Sequence, residues 1–198
     1  IVDRVPARVS PVTVPQVTGS FGLRTRVWQT LAVARTALEE TAGGRSFIIA
    51  LVVALGLSLL WGWNVADTVF DSSVWPVTHL VAAVALSSRN APIIVVLIAV
   101  YAGEMVWKER EVQVAEIADA TPVTEGVALV GRFLALAAIL ALLQSVILLA
   151  GILIQTLQGY YHLELGLYVR MLFGMHLVNY LLLGALAMTI HVVVNHKY

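Results

Sequence analysis

The chain has 198 residues, of which 60% are hydrophobic and only 12% are charged, and its mean hydropathy is +0.89. Soluble domains have roughly 45–50% apolar and about 25% charged residues, so these charged groups are too few to cover the surface of a soluble fold. The net charge is zero and no basic run is interleaved with aromatic residues, which argues against a nucleic-acid partner. The chain has no cysteine, which excludes disulfides and thiolate metal sites.

The first 42 residues precede the long apolar runs. Residues 1–20 contain three prolines and no helical period, so we expect an extended or disordered cytoplasmic lead-in. Over residues 21–42, apolar residues such as Trp28, Leu31 and Leu38 recur at helical spacing, and the arginines fall largely elsewhere. This pattern predicts an amphipathic interfacial helix, with arginines at anionic headgroups and Trp28 at the membrane boundary.

Residues 43–198 contain four long apolar stretches, which predict an all-α polytopic membrane domain in a lipid bilayer. Residues 46–63 are uncharged and would form about 27 Å of helix, close to the thickness of the hydrocarbon core. The second span is placed at 88–107, because this choice puts Arg89 at the interface and Pro92 in the first turn. The third and fourth spans are predicted at 127–157 and 176–194, with short interfacial helices at about 77–86 and 167–173.

The basic residues give an orientation. With a cytoplasmic N-terminus and four crossings, every lysine and arginine except Arg89 and Arg170 lies on the cytoplasmic side. If residues 77–86 also crossed, Lys108, Arg110 and Arg132 would move outside. The positive-inside bias therefore favours four spans.

Residues 108–126 form the most polar segment of the chain and are predicted to be a cytoplasmic loop. Thr121 and Pro122 are typical of an N-cap followed by a first-turn proline, and Glu125 would lie near the positive end of the helix that follows. One interpretation is a docking surface for a partner that acts on the membrane helices; the other is a solvated loop with ordinary capping residues. The candidate docking residues are Glu109, Arg110, Glu116, Asp119, Thr121 and Pro122.

Polar residues inside the spans are the other candidates. They are Gln144, Gln155, His176, Asn179 and His191. Such groups usually hydrogen-bond between helices, although a substrate contact or a proton relay is the alternative. A metal site gathering His79, His162, Glu164 and His176 is a further alternative, but these residues lack a metal-ligand spacing. We therefore predict no catalytic residue, cofactor or metal, since a membrane hydrolase would need a constellation that is missing here.

The residues from the second span to the third resemble a known family. The stretch YAGEMVWKEREVQVAEIADATPVTEGVALVGRFLALA is similar to the corresponding region of type-2 ABC exporter permeases, in which an acidic/basic pair leads to T-P-V and then to glycine plus a basic residue. Two further stretches resemble a bacterial branch in which the permease is fused to a C-terminal zinc aminopeptidase-like domain. They are WGWNVADTVFDSSVWPVTHLVA and GILIQTLQGYYHLELGLYVRMLFG, and the ending HVVVNHKY is similar as well.

The resemblance, which covers about residues 21–198, implies a permease with partners. A separate ABC ATPase subunit would dock on residues 109–122, and a second permease half would complete the pore. The family usually has six spans, and neither end looks like a natural terminus, so we expect a fragment. The chain contains no G-x-x-x-x-G-K-[ST] and no H-E-x-x-H, so nucleotide hydrolysis and any peptidase activity would reside elsewhere. The alternative is a membrane anchor for such a fused domain.

Overall fold

The computed structural model describes residues 22–63, 76–82, 90–111 and 124–194, with the side chains of 108–111 excepted, and these residues form helices and no strand. The helices, in chain order, are α1 (Leu23–Ala42), α2 (Arg45–Trp63), α3 (Thr78–Leu80), α4 (Ala91–Glu111), α5 (Glu125–Leu157) and α6 (Leu165–Val194). Residues Arg170–His176 of α6 are π-helical, and the remainder of α6 is α-helical.

The chain is an all-α helical membrane protein. Helices α2, α5 and α6 are long and apolar enough to cross a bilayer, whereas the apolar part of α4, Ala91–Trp107, is shorter. At helical rise the 19 residues of α2 extend about 28 Å, near the thickness of the hydrocarbon core. The 33 residues of α5 extend about 50 Å, so this helix is longer than a membrane is thick. Large apolar side chains remain exposed along all of these helices, as expected where lipid is the solvent.

Helix α5 is the centre of the packing and contacts α1, α2, α4 and α6. Its buried face carries Leu136, Ile139, Leu143, Ile147 and Ile154 among others. Helix α4 packs mainly against α6, and its Tyr101 ring meets Phe47 of α2 edge-on at 6.1 Å between centroids. The buried cluster is therefore shared among helices that are distant in sequence.

Two helix ends define the sides of the bundle. The amide Nε2 of Gln158 donates a hydrogen bond of 2.7 Å to the carbonyl oxygen of Trp63, so α2 and α5 end side by side. We call this end the Trp63 side and the opposite end the Arg45 side. Because α5 is about 20 Å longer than α2, its first turns extend beyond Arg45.

The structure differs from the sequence-based prediction in α6. A break was expected between an interfacial helix at 167–173 and a span from residue 176, but Leu165–Val194 is continuous. Gly174 is accommodated inside the π-helical segment, and the aliphatic Cγ of Arg170 lies beside it, 4.0 Å from the position that a Gly174 Cβ would occupy. A single glycine without proline weakens a helix but does not end it.

Smaller differences concern the ends of other elements. Helix α5 begins at Glu125 with Thr124 at its N-cap, three residues after the expected start at Pro122, while Glu125 lies in the first turn as expected. Helix α4 begins at Ala91, with Pro92 in its first turn. Within the interfacial segment predicted at 77–86, Thr78, Leu80, Val81 and Ala82 are buried against protein, as is the neighbouring Pro76, and residues 83–86 lie outside the described residues. The predicted lead-in at 1–20 lies outside the described residues.

Candidate functional site

The Trp63 side of the bundle holds a buried polar cluster centred on Gln155 of α5. The Gln155 Nε2 donates to the carbonyl oxygen of Pro76 at 2.8 Å and to Thr78 Oγ1 at 3.1 Å. Its Oε1 accepts a hydrogen bond of 2.8 Å from the hydroxyl of Tyr168 on α6. Gln155 and Tyr168 are fully buried, and Thr78 is 1% exposed. One side chain thus joins α5, α6 and the segment at 76–82.

The backbone before α6 takes part in the same cluster. The Glu164 amide donates to Thr78 Oγ1 at 3.4 Å, close to where α6 begins. Thr78 therefore accepts hydrogen bonds from two directions and fixes the α3 turn between the ends of α5 and α6. Because the Gln155 amide uses both its oxygen and its nitrogen, burial leaves neither of these atoms without a partner.

A second buried contact joins α2 to α4. The Asn90 Nδ2 donates to Ser58 Oγ at 2.9 Å, and Ser58 Oγ donates in turn to the Ala54 carbonyl oxygen at 2.6 Å. Ser58 is fully buried and Asn90 is 1% exposed. The Asn90 carbonyl also accepts from the Ile94 amide, as a helix N-cap residue does. This contact holds the start of α4 on the apolar surface of α2.

Gln144 is a further buried amide whose set of partners is incomplete. The side chain is 2% exposed and lies near the middle of α5. Within the described part of the chain, its Oε1 atom has no hydrogen-bond donor. An amide oxygen buried in an apolar surrounding without a partner is destabilising by about 1–3 kcal/mol. Such a group calls for an explanation beyond packing.

The three predicted residues of α6 occupy different surroundings. His176 lies at the end of the π-helical segment, with its ring 6.3 Å from that of Tyr180. His191 packs against Gly103 of α4, where a Cβ would lie 3.2 Å from the His191 Nε2. Asn179 is exposed on the side of α6 away from the bundle. The structure therefore does not bring these residues into one site.

The described residues contain no group of three or more metal-ligating side chains, so His79, His162, Glu164 and His176 do not form the metal site that was considered. Residues Gly159, Tyr160, Tyr161 and His162 line an open depression on the Trp63 side instead. The Tyr160 and His162 rings meet edge-on at 6.0 Å between centroids.

The predicted docking loop is largely beyond what the structure describes. Glu109 and Arg110 belong to the last turn of α4, where the backbone alone is described. Glu116, Asp119, Thr121 and Pro122 lie outside the described residues. The docking prediction therefore stays a prediction.

Sequence reasoning missed Ser58, Thr78, Asn90 and Tyr168 as polar contacts. Each is a polar group within or beside an apolar run, which is the only signal that could have found it. Comparisons with protein-family models, with curated proteins and with solved structures give no match to this chain.

Proposed function

We propose that this chain is part of the membrane-spanning permease subunit of an ABC-type exporter. The exporter would move a substrate across the membrane with ATP that a separate subunit hydrolyses. The support from sequence is the resemblance of residues 101–137, with the T-P-V turn followed by Gly131 and Arg132. The support from structure is coarser, namely several apolar helices packed around one long central helix. This architecture suits a bundle whose helices rearrange.

The observation that carries the proposal is the buried Gln144. A passive anchor gains nothing from an amide oxygen that has no donor among the described residues and lies near the middle of α5, because leucine would fill the position without the desolvation penalty. A permease needs polar atoms that bind the transported solute, or that form hydrogen bonds in a second arrangement of its helices. Gln144 fits either of these uses.

The orientation proposed here places the Arg45 side in the cytoplasm of a bacterial cell and the Trp63 side outside the inner membrane. Arg24, Arg26, Arg35 and Arg45 then lie on the cytoplasmic side, as the positive-inside bias requires. The loop at 108–126 would face an ABC ATPase, and a second permease half would complete the pore. The chain would cross the membrane several times.

Co-purification tests the ATPase partner. Membranes of a cell expressing the chain in its native context should yield an ABC ATPase with it, and Glu109→Lys with Glu116→Lys should abolish that association. Glu164→Lys is the matched control, because it reverses an exposed acidic charge on the Trp63 side. If no ATPase is recovered, or if the loop tolerates both reversals, the chain is an anchor and the proposal fails.

Gln144→Leu separates transport from anchoring within the recovered complex. An anchor should be as stable or more stable with leucine, and the ATPase rate should not change. We expect the ATPase rate of the complex in liposomes to fall severalfold while stability is kept. Ser145→Ala, next in sequence and exposed, should leave both quantities unaltered.

A further inference from the structure

Helix α6 contains a segment whose hydrogen bonds differ from those of its neighbours. Residues Arg170–His176 are π-helical and lie between two α-helical parts of the same helix. A π-helix has i→i+5 hydrogen bonds where an α-helix has i→i+4, so each of its turns holds about one residue more. Short π-helical segments inside α-helices are frequent at functional sites.

The part of α6 that precedes this segment is fixed to the bundle. Tyr168 is fully buried, and its hydroxyl donates to Gln155 Oε1 on α5. If the segment became α-helical, the later part, Leu177–Val194, would therefore have to move. An α-helix turns further per residue than a π-helix, so each later residue would advance by about 100° and about 1.5 Å, into the place of the next residue. We call the present arrangement the π register and the advanced one the α register.

Two amides at the centre of the bundle are unsatisfied in the π register. Gln144 Oε1 on α5 is buried and has no donor among the described residues. Asn179 lies at the middle of the 30 residues of α6 and is exposed, and its amide has no hydrogen-bond partner in the part of the chain that the structure describes. Lipid at this depth offers no partner to either group. One amide thus lacks a donor while the other has two donors to give.

The two amides lie at similar depths. Helices α5 and α6 are antiparallel, and Gln155 meets Tyr168 across them. Eleven residues from that contact along each helix lie Gln144 and Asn179. The contact of α5 with Gly184 gives a level on α6 three residues earlier, which is within one turn of the same depth. What separates the amides is therefore rotation, since Asn179 is on the outward side of α6.

The α register supplies that rotation. It moves Asn179 into the place of Tyr180, which is 7% exposed and belongs to the same buried cluster as Leu143 and Ile147 of α5. We propose that α6 alternates between the two registers and that a hydrogen bond from Asn179 Nδ2 to Gln144 Oε1 stabilises the α register. The π-helical segment is the place where the additional residue is stored.

A second contact between the same helices stabilises the π register. Gly184 is buried, and a Cβ there would lie 3.0 Å from Leu136 Cδ2. In the α register Leu183 takes the place of Gly184, so Leu136 has to turn aside. Two contacts therefore favour different registers of one helix, as a two-state element requires. The change needs neither nucleotide nor substrate, so it holds or fails independently of transport.

Distances between spin labels on introduced cysteines test the proposal, because the chain has no cysteine of its own. The full chain is reconstituted in liposomes with labels at Val52→Cys on α2 and Leu186→Cys on α6, which are 64% and 56% exposed. The change of register moves the side chain at position 186 by about 8 Å around the helix. Val52→Cys with Val169→Cys is the matched control, because Val169 is exposed and precedes the π-helical segment.

Leu136→Ala makes room for Leu183 and should add a second distance to the 52–186 pair and none to the 52–169 pair. Leu136→Val, the milder truncation, should add the same distance at lower population. In the Leu136→Ala chain, Gln144→Leu and Asn179→Leu should each lower the ratio of the second distance to the first by about fivefold, since one interhelical hydrogen bond is lost.

Deletion of Gly174 tests the segment itself. It removes the additional residue, so α6 is α-helical throughout while its later residues keep their present places. In the Leu136→Ala chain this deletion should abolish the second distance. A second distance that survives the deletion, or that keeps its ratio in Gln144→Leu or Asn179→Leu, would overturn the proposal. So would a single 52–186 distance in both Leu136 variants while the 52–169 distance shows an intact bundle.

Discussion

At the scale of single residues, the bundle depends on a few side chains that satisfy hydrogen bonds where water is absent. The Gln155 amide binds three partners, namely the Pro76 carbonyl oxygen, Thr78 Oγ1 and the Tyr168 hydroxyl, and of these Thr78 has a second partner in the Glu164 amide. In an apolar surrounding, removing the shared residue is more damaging than its own hydrogen bonds suggest, because several groups lose their partner at once.

Replacement of Gln155 by leucine should therefore lower the free energy of unfolding by about 2 kcal/mol. The Tyr168 hydroxyl and the Pro76 carbonyl would remain buried without their partner. Unfolding in mixed micelles, followed by the fluorescence of the tryptophans, measures the loss. Tyr168→Phe, which removes one donor but leaves the Gln155 Nε2 contacts intact, should lower the free energy of unfolding by about 1 kcal/mol.

Ser145→Ala provides the comparison for this prediction. The Ser145 hydroxyl is exposed and donates only to the Ala141 carbonyl of its own helix, so its removal should change stability by less than about 0.5 kcal/mol. A Gln155→Leu variant as stable as Ser145→Ala would mean that the cluster does not hold α3 and α6 on α5.

The contact between Gly184 and Leu136 predicts that the loss of stability caused by one substitution is partly recovered by a second. A Cβ at position 184 would lie 3.0 Å from Leu136 Cδ2, which is the far end of a flexible side chain. Gly184→Ala should thus be mild, because Leu136 can turn aside, whereas Gly184→Leu should destabilise the packing of α6 on α5 by about 2 kcal/mol. Combining Gly184→Leu with Leu136→Ala should recover part of that loss, measured by the same unfolding assay. Additive losses would show that the two positions do not share space.

At the scale of elements, patterns of charge and apolarity located α2 well because its run is uninterrupted, but they misplaced a break in α6. Arg170 and Gly174 resemble a helix end in the sequence, yet a long aliphatic stem beside a glycine and a π-helical segment allow the helix to continue. Local composition cannot express this accommodation, because it depends on where one side chain lies over the next turn. The start of α5 was misplaced for a similar reason, since Thr121 and Thr124 both suit an N-cap.

The close packing of α1 against α5 at Gly131 gives a prediction at this scale. Gly131→Ala should displace α1, because the new methyl group would meet the Thr30 carbonyl and the Val33 side chain at under 3 Å and the backbone oxygen cannot turn aside. Spin labels at Thr36→Cys on α1 and Leu142→Cys on α5 report this change as a broadened distance distribution in double electron–electron resonance. The change should be confined to α1 and leave the contact between α4 and α6 intact.

Gly126→Ala is the matched control for this contact between α1 and α5, since it adds the same methyl group to the same helix with nothing within 4 Å of the new Cβ. Its distance distribution should equal that of the unsubstituted glycine chain. If Gly131→Ala also leaves the distribution narrow, the close crossing of α1 and α5 does not exist in the membrane.

At the scale of the whole molecule, the membrane class followed from composition alone, whereas the polar contacts could not be predicted. The low share of charged residues excluded a soluble fold, and that conclusion needs no knowledge of which helices touch. Gln155 was singled out as an interhelical group, but its partner Thr78 is 77 residues away and its partner Tyr168 lies on another helix. Hydrogen bonds between residues so far apart in sequence depend on how the bundle packs, and they cannot be inferred from the periodicity of the sequence.

Sidedness is the prediction that tests the molecule as a whole, and single cysteines in this cysteine-free chain can report it. Thr36→Cys, Thr124→Cys and Val194→Cys should react with a membrane-impermeant thiol reagent from one side of sealed vesicles, and Tyr161→Cys should react from the other. The reason is that α5 and α6 run in opposite directions between these points and both are apolar over more than the thickness of a bilayer. Reaction of Thr124→Cys and Tyr161→Cys from the same side would mean that α5 does not cross. Reaction of Val194→Cys together with Tyr161→Cys would mean that α6 returns within the leaflet, and the bundle would then have to be held on one side of the membrane.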